Sequence, residues 1–169
     1  MSTAAYLNRM VSCRRFACGG SVEFMSAETR TPHVNDAEVI RRLLTTPARW
    51  AVVGLSNNPR RVAPGVSKFL QEKLGMRIVP VSLRGDSVLG EPGFQKLADI
   101  PGHIDVVDCF VNSSRVGEVV DQAIAIGADA VWLQLGVIDE EAAERAKKAG
   151  LKVVMDTCPV IEFPHLKFT

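Results

Sequence analysis

The chain has 169 residues, 47% of them hydrophobic, and a formal net charge of +1, which is the composition of one soluble globular domain with its own core. The near-neutral charge gives no reason to expect a nucleic-acid partner, and no apolar run approaches the roughly 18 residues that a membrane span requires. The four cysteines have no metal-binding spacing and are too few to predict a disulfide framework, so they favour a reducing compartment.

Residues 1–30 differ in composition from the rest of the chain. The first 22 residues contain three arginines and no acidic residue, which is typical of an organellar transit peptide. Arg14-Arg15-Phe16-Ala17 also resembles a cleavage site of the matrix protease. We therefore expect residues 1–30 to be a targeting segment and the protein to be located in the mitochondrial matrix. The alternatives are a disordered N-terminus, with Met25 as a second start, and a cytoplasmic protein.

Residues 35–169 are predicted to form the folded domain, which begins with a helix. Asn35 is expected to cap this helix, Glu38 lies three residues later in the position of a capping box, and apolar residues follow at helical spacing. Thr45-Thr46-Pro47 ends it. The pattern predicts a helix that packs beside a sheet and carries no chemistry.

The next stretch predicts a corner that receives phosphate. Ala51–Val53 is continuously apolar, as a strand buried on both faces is, and Gly54 allows a sharp turn there. The polar loop from Leu55 to Ala63 contains the turn signal Asn57-Asn58-Pro59 and two arginines. A helix from about Pro64 to Gly75 follows, and its N-terminal N–H groups attract anions.

The same stretch disfavours a dinucleotide. Of the three glycines of the Rossmann fingerprint only Gly54 is in place, and the next strand, Arg77–Ser82, ends in Ser82-Leu83-Arg84 where an acidic residue would bind the ribose. Arg84 instead suits a ligand with a ribose phosphate. An NADP-dependent reductase therefore stays open as an alternative, with the missing glycines against it.

The remaining elements alternate between strands and helices, which predicts βαβ units and a parallel sheet. Pro80 cannot donate a ladder hydrogen bond, so its strand is expected near an edge or broken locally. The fold class is therefore α/β, a single Rossmann-like, doubly wound domain with five parallel strands in the order 3-2-1-4-5. The later elements are a short helix at Phe94–Ala98, strands at Asp105–Val111, Ala130–Leu135 and Leu151–Met155, a helix capped by Ser113 or Ser114 that reaches Gly127, and a helix capped by Asp139 that ends before Gly150.

In such a sheet the ligand lies outside the carboxyl ends of the strands, at the switch point. Besides the corner at Gly54, this edge is predicted to contain the residues that follow the other strands. They are Ser82 to Arg84, Val111 to Ser113, Gly136 and Asp156 to Pro159.

Seven stretches follow one another along the chain in an order that matches a known family. They are Gly54-Leu-Ser-x-x-Pro-x-Arg61, Val66-x-x-Phe-Leu70, Val79-Pro-Val81, Leu89-Gly90, Asp105-Val-Val-Asp-x-Phe110, Trp132-Leu-Gln-Leu-Gly136 and Met155-Asp-x-Cys-Pro159. Together they resemble the single-domain CoA-binding proteins of the YccU-like family, which is similar to the N-terminal domain of the succinyl-CoA ligase α subunit. The resemblance covers about residues 36–166 and implies binding of coenzyme A or a short acyl-CoA.

The resemblance also implies which residues bind the cofactor. Gly54, Ser56, Asn57 and Asn58 would line the phosphate-binding turn. Arg61 and Arg84 would meet the phosphates of CoA. Together with the strand-end residues, the predicted cofactor site comprises Gly54, Ser56, Asn57, Asn58, Arg61, Ser82, Arg84, Val111, Asn112 and Gly136.

Two departures from the family keep a ligand-free interaction domain open. Relatives read Val-Asn-Pro where this chain has Val81-Ser82-Leu83, and Pro-Ser where it has Val62-Ala63. The second change removes a hydroxyl near the helix N-terminus, which would remove one phosphate hydrogen bond worth about 1 kcal/mol if neutral.

No residue has a clear catalytic signature. Asp108 lies in an apolar strand and must find a partner or protonate, and a satisfied structural carboxylate is favoured over a catalytic one. Cys158 could react with the CoA thiol, but no basic neighbour lowers its pKa, so a packed, inert thiol is favoured. Gln134 suits either ligand contact or solvent. His103 and His165 have no partner at metal spacing, so no metal site is predicted.

The sequence therefore predicts a stand-alone module that binds CoA or a short acyl-CoA without evident catalysis. Acyl-CoA ligases of similar architecture need a second domain with a phosphorylated histidine, which this chain is not expected to contain. The alternatives are an NADP-dependent reductase, a CoA-thiol redox protein that uses Cys158, and a ligand-free interaction domain. A small-molecule ligand is expected, with no nucleic acid and no membrane, and a protein partner or homo-oligomer stays open.

Overall fold

The computed structural model describes residues 32–166, so the targeting prediction for residues 1–30 lies outside the described part. Within that part, strands and helices alternate as the sequence predicts. The elements are α1 (Ala37–Thr45), β1 (Arg49–Val53), α2 (Val62–Leu74), β2 (Arg77–Val81), a 3₁₀ helix (Leu97–Asp99), β3 (Val106–Cys109), α3 (Ser113–Ala125), β4 (Ala130–Leu133), α4 (Glu140–Lys148), β5 (Lys152–Val154), α5 (Pro159–Glu162) and a second 3₁₀ helix (Phe163–His165). None of the described helices combines the length and apolarity needed to cross a bilayer.

The five strands form one parallel sheet in the order β2-β1-β3-β4-β5. The predicted fold class, a doubly wound α/β domain with five parallel strands, is confirmed. The predicted order 3-2-1-4-5 is wrong at one point, because β3 pairs with β1 and not with β2. Trp50 of β1 lies opposite Val106 of β3 and opposite Ile78 of β2.

Pro80 explains this order. Its carbonyl oxygen accepts a hydrogen bond from Phe94 N at 2.9 Å on the side of β2 that faces away from β1. Because the N–H and C=O of one strand residue point to the same side, the donor that proline lacks also belongs to this outer side. The predicted order would have required β3 to pair there. The prediction that β2 lies near an edge is confirmed.

Successive strand residues face opposite sides of the sheet and build two apolar layers. Trp50 and Trp132 lie in the layer beneath α1 and α2, with ring centroids 5.7 Å apart. Ala51 and Val131 lie in the other layer, beneath α3 and α4. Helices therefore cover both faces, and the carboxyl ends of the strands remain open between them.

Two helices begin differently from the sequence prediction. Asp36, not Asn35, caps α1, and its side chain accepts hydrogen bonds from the N–H groups of Glu38 and Val39 at 2.8 and 3.4 Å. The amide of Asn35 instead bonds both the N–H and the C=O of Met155, each at 2.8 Å, because an amide can satisfy a donor and an acceptor at once.

The N-cap of α3 is Asn112, not Ser113 or Ser114, and no side chain caps this helix. Ser113 Oγ instead accepts a hydrogen bond from Ile138 N at 2.9 Å. The hydroxyl that was predicted to cap α3 therefore connects α3 to the loop that follows β4.

Candidate functional site

The predicted cofactor-binding residues all follow the carboxyl ends of four adjacent strands. Five of them lie after β1, two after β2, two after β3 and one after β4. In the observed order the crossover directions reverse between β1 and β3, since α2 covers one face of the sheet and α3 the other. This reversal places a switch-point crevice directly beside Gly54.

Gly54 is required by its contact with the neighbouring strand end. Its φ is +96°, and a Cβ at this position would lie 2.7 Å from the carbonyl oxygen of Phe110. Its N–H donates to Val81 O at 2.8 Å. The backbone after β1 is therefore held tightly against the exits of both β2 and β3, which a side chain would prevent.

The loop after Gly54 is ordered by its asparagines. Asn57 Nδ2 donates to Ser87 O at 2.9 Å and ties this loop to the one after β2. Asn58 Oδ1 accepts from Arg60 N at 3.0 Å, and Asn58 O accepts from Arg61 N at 3.1 Å. Asn58 thus builds a tight turn, while the half-buried Ser56 lies at the base of the loop.

The N-terminus of α2 is open to an anion. Its N-cap residue Arg61 makes no side-chain capping bond, and no acidic residue lies in the first turn. By contrast, Asp36 caps α1 and Asp139 caps α4, and both of those helices have acidic first turns. The exposed end of α2 therefore keeps the positive potential of its unpaired N–H groups.

A second cation lies on the loop after β2. Arg84 is exposed, and the preceding Ser82 shapes this loop because its Oγ accepts a hydrogen bond from Gly85 N at 3.2 Å. Asn57 joins the loops after β1 and β2, and each loop carries an exposed cation: Arg61 at the open end of α2, and Arg84 on the neighbouring loop. The geometry suits a ligand that carries several phosphates.

The loops after β3 and β4 complete the edge. Val111 is half-buried and Asn112 is exposed at the start of α3. Gly136 has a φ of +80°, and its N–H donates to Asp156 Oδ1 at 2.7 Å. The sequence placed Asp156 at this edge without a role, and only the folded structure shows that it anchors the turn at Gly136.

Asp108 lies below this edge, inside the sheet, and is completely buried. Burial raises its pKa from 3.8 to about 7, although hydrogen bonds from Gln134 and from the backbone of Cys109 lower it. Its Oδ1 accepts from Gln134 Nε2 at 2.7 Å, while Oδ2 has no partner. Burial, and secondarily the charge of Asp108, also raises the pKa of the Cys109 thiol well above its ordinary value.

Cys158 is 8% exposed and packs in the same apolar layer as Trp132 and Val154. Gln134 is 4% exposed and turns toward Asp108 rather than solvent. Neither side chain is presented at the open edge. The edge therefore contains the groups that bind phosphate, namely cations, amides and helix N-termini. Among the described residues, it contains no nucleophile with an adjacent base.

The fold and this edge define an open α/β domain whose switch point is suited to a phosphorylated ligand. Comparison with known proteins identifies the family within this class. The chain belongs to the CoA binding domain family, whose model matches residues 48–164. The resemblance seen in the sequence is thereby confirmed.

Two relatives are single-domain proteins of similar size. The chain is 37% identical to the uncharacterized protein YneT of Bacillus subtilis over 119 residues, which is 70% of this chain and 87% of YneT. It also resembles the solved structure of a hypothetical protein from Pyrococcus horikoshii OT3, with 39% identity and a TM-score of 0.73. That match covers 78% of this chain and 92% of the other.

A third relative is part of an enzyme. The chain is 26% identical over 129 residues to the α subunit of the ADP-forming acetate–CoA ligase II of Pyrococcus furiosus. The match covers 70% of this chain but only 28% of that subunit. The similarity therefore concerns one domain of a larger protein.

Proposed function

We propose that this protein binds CoA or a short acyl-CoA at the carboxyl edge of β1, β2 and β3, as a stand-alone module that carries out no reaction by itself. The observation that carries the proposal is the uncapped N-terminus of α2, with Arg61 exposed at its start and Arg84 exposed on the loop after β2. Membership of the CoA binding domain family supports the choice of ligand.

The phosphates of CoA match the cations of this edge. A pyrophosphate accepts hydrogen bonds from backbone N–H groups at a helix N-terminus, and arginine binds a further phosphate through two parallel hydrogen bonds. In this proposal the N–H groups of α2 and Arg61 receive the pyrophosphate. Arg84 receives the phosphate on the ribose, which distinguishes CoA from dephospho-CoA.

Two exposed apolar side chains flank the cations and suit the adenine ring. Leu83 is 83% exposed and Val62 is 69% exposed, one next to Arg84 and the other next to Arg61. Large apolar side chains at such exposure gain from covering a flat base. Both are positions where the chain departs from its family, so the departures are compatible with ligand binding.

A calorimetric titration of the purified protein with CoA tests the proposal. CoA should bind in a one-to-one ratio, dephospho-CoA more weakly, and NADP without comparable heat. Arg84→Ala should weaken CoA at least about tenfold, as expected for a lost charge-assisted pair of hydrogen bonds. Arg77→Ala is the matched control, because Arg77 is exposed at the other end of the same strand, β2.

Each other outcome points to a different function. If binding heat were seen with NADP and not with CoA, the protein would be better explained as an NADP-dependent reductase, a function for which Arg84 is the supporting residue. No heat with any of these ligands from a folded protein would favour an interaction domain. Equal affinity of wild type and Arg84→Ala would contradict the placement of the ribose phosphate while leaving CoA binding itself in place.

We also propose that the protein is located in the mitochondrial matrix. The support is the arginine-rich, acid-free composition of the first 22 residues. A fluorescent protein fused behind residues 1–30 should enter mitochondria, and replacing Arg9, Arg14 and Arg15 by glutamine should leave it in the cytosol. Cytosolic fluorescence from the unaltered fusion would contradict the proposal.

A further inference from the structure

Three side chains that ligate metals converge at the opposite edge of the sheet, where β3 and β4 begin. His103 and Asp105 precede β3, and Asp129 directly precedes β4. One donor atom of each lies within 4.8 Å of the other two, and His103 Nε2 lies 3.1 Å from Asp129 Oδ2. Ligands at about 2.0–2.1 Å from a tetrahedral zinc ion are about 3.3 Å apart, so small side-chain rotations complete such a set.

Backbone hydrogen bonds hold two of these residues, Asp105 and Asp129, in a fixed relation. Asp129 N and Ala130 N both donate to Asp105 O, at 3.2 and 2.9 Å, which fixes the two loops to each other. Arg49 N donates to Asp105 Oδ2 at 2.6 Å and orients that carboxylate. The backbone positions of Asp105 and Asp129 and the orientation of the Asp105 carboxylate are therefore set before any ion arrives, which favours a metal site.

A separate observation concerns the space beside the cluster. A cleft of about 310 Å³ opens there, and its walls include His103 and Asp105 together with Arg49 and Arg77. Three protein ligands leave a tetrahedral ion one open position, which a water molecule or a small anion fills. The cleft gives that position access to solvent, and its arginines favour an anion.

From this arrangement we propose that His103, Asp105 and Asp129 bind a divalent transition-metal ion such as Zn²⁺, at an edge of the sheet remote in the topology from the CoA site. A neutral imidazole and two carboxylates supply a charge of −2, and mixed nitrogen and oxygen donors select transition metals over Mg²⁺ and Ca²⁺. Arg49 is directed toward the carbonyl oxygen of His103 at 3.3 Å, so its positive charge weakens the site relative to a structural zinc site.

The test combines calorimetry with NMR on the full chain. The protein contains three histidines, so their imidazole resonances can be assigned individually and show which histidine binds the ion. On titration with ZnCl₂ the His103 resonances should shift, and those of His33 and His165 should not. His103→Gln and Asp129→Asn should each weaken Zn²⁺ at least about tenfold, the range that loss of a ligand-orienting group produces elsewhere.

Two controls separate this site from other effects. His165→Gln, at an exposed position, should leave Zn²⁺ affinity unchanged, and a cooperative urea unfolding transition verifies that each variant is folded. Blocking the thiols with iodoacetamide should not reduce Zn²⁺ binding. The proposal is overturned if Zn²⁺ binding survives in Asp129→Asn, is lost on thiol blocking, or is matched in affinity by Mg²⁺.

Discussion

At the scale of single residues, Gly54 is a position where both the backbone conformation and a close neighbour exclude a side chain. Its φ of +96° is a backbone conformation that residues with a side chain rarely adopt. In addition, a Cβ at this position would lie only 2.7 Å from Phe110 O. Gly54→Ala should therefore lower the free energy of unfolding by about 1–3 kcal/mol, the cost of such backbone strain, as measured by urea denaturation.

Gly65 provides the matched control for that substitution. It lies within α2, and a Cβ there meets no atom within 4 Å. Gly65→Ala should raise the free energy of unfolding by about 0.8–1 kcal/mol, the difference in helix propensity. If Gly54→Ala were as stable as the wild type or more stable, the contact with Phe110 would not be the reason for glycine at position 54.

Asp108 makes stability depend on pH. Its pKa is raised from 3.8 to about 7 by burial, so between these pH values the unfolded chain has released a proton that the folded chain keeps. In this range the unfolded state binds fewer protons than the folded state. The contribution of Asp108 to the free energy of unfolding is therefore fully present below about pH 4, and it falls by about 1.4 kcal/mol per pH unit as pH rises toward 7. Above about pH 7 this loss is constant.

Asp108→Asn removes this dependence, because an amide does not ionise. The slope of stability against pH between 5 and 7 should decrease in urea denaturation, and the variant should gain stability relative to wild type as pH rises through that range. Asp86→Asn, at an exposed carboxylate, should leave the slope unchanged. A slope that is equal in wild type and Asp108→Asn would show that Asp108 does not keep its proton in the folded chain.

At the scale of elements, the helices divide into capped and open ones. Asp36 and Asp139 stabilise the starts of α1 and α4, where no ligand is proposed. The starts of α2 and α3 have no side-chain cap, and both lie at the switch point. A helix with an open N-terminus lacks about 1 kcal/mol of stabilisation that a capping side chain would give in the free protein. A bound anion supplies a comparable stabilisation.

A capping side chain at the start of α2 should therefore raise the free energy of unfolding and lower the affinity for CoA. Arg61 has φ −90° and ψ 151°, the backbone conformation of an N-cap residue. Arg61→Asp should raise the free energy of unfolding by about 0.5–2 kcal/mol and weaken CoA at least about tenfold. Arg61→Ser adds a cap without reversing the charge, so it should give the same stabilisation with a smaller loss of affinity. A more stable variant with unchanged CoA affinity would place the pyrophosphate elsewhere.

At the scale of the whole molecule, the alternating pattern of strands and helices was sufficient to predict the fold class and the edge that carries the site. The strand order required information that the pattern lacks. Pro80 indicated an edge strand, but only the hydrogen bond from Phe94 to Pro80 O shows which side of β2 faces away from β1 and the rest of the sheet. The sequence also identified Gly54, as the point of a sharp turn, while the structure shows a further reason for glycine there, the close contact with Phe110 O.

Contacts between distant residues were the part that sequence could not supply. Asn35 was predicted as a cap because of its neighbours in sequence, whereas its partner, Met155, lies 120 residues away. His103 was assigned no role in the sequence analysis, although Asp105 lies two residues away, because Asp129 approaches it only through the pairing of β3 with β4. Spacing rules consider neighbours in sequence, so they do not detect a cluster such as this one, which is built across two strands.

If CoA binds the folded chain alone, it must also stabilise the whole molecule. At about 100 times its dissociation constant, CoA should raise the free energy of unfolding by about 2.7 kcal/mol, which in a chain of this size raises Tm by about 5–11 °C. ATP at the same concentration has the adenosine and phosphates but not the ribose 3′-phosphate or the pantetheine arm, so its shift should be smaller. Pyrophosphate should give the smallest shift, because it occupies only the N-terminus of α2. Equal shifts with pyrophosphate and CoA would mean that the edge recognises phosphate charge alone, and that Leu83 and Val62 contribute no contact with the base.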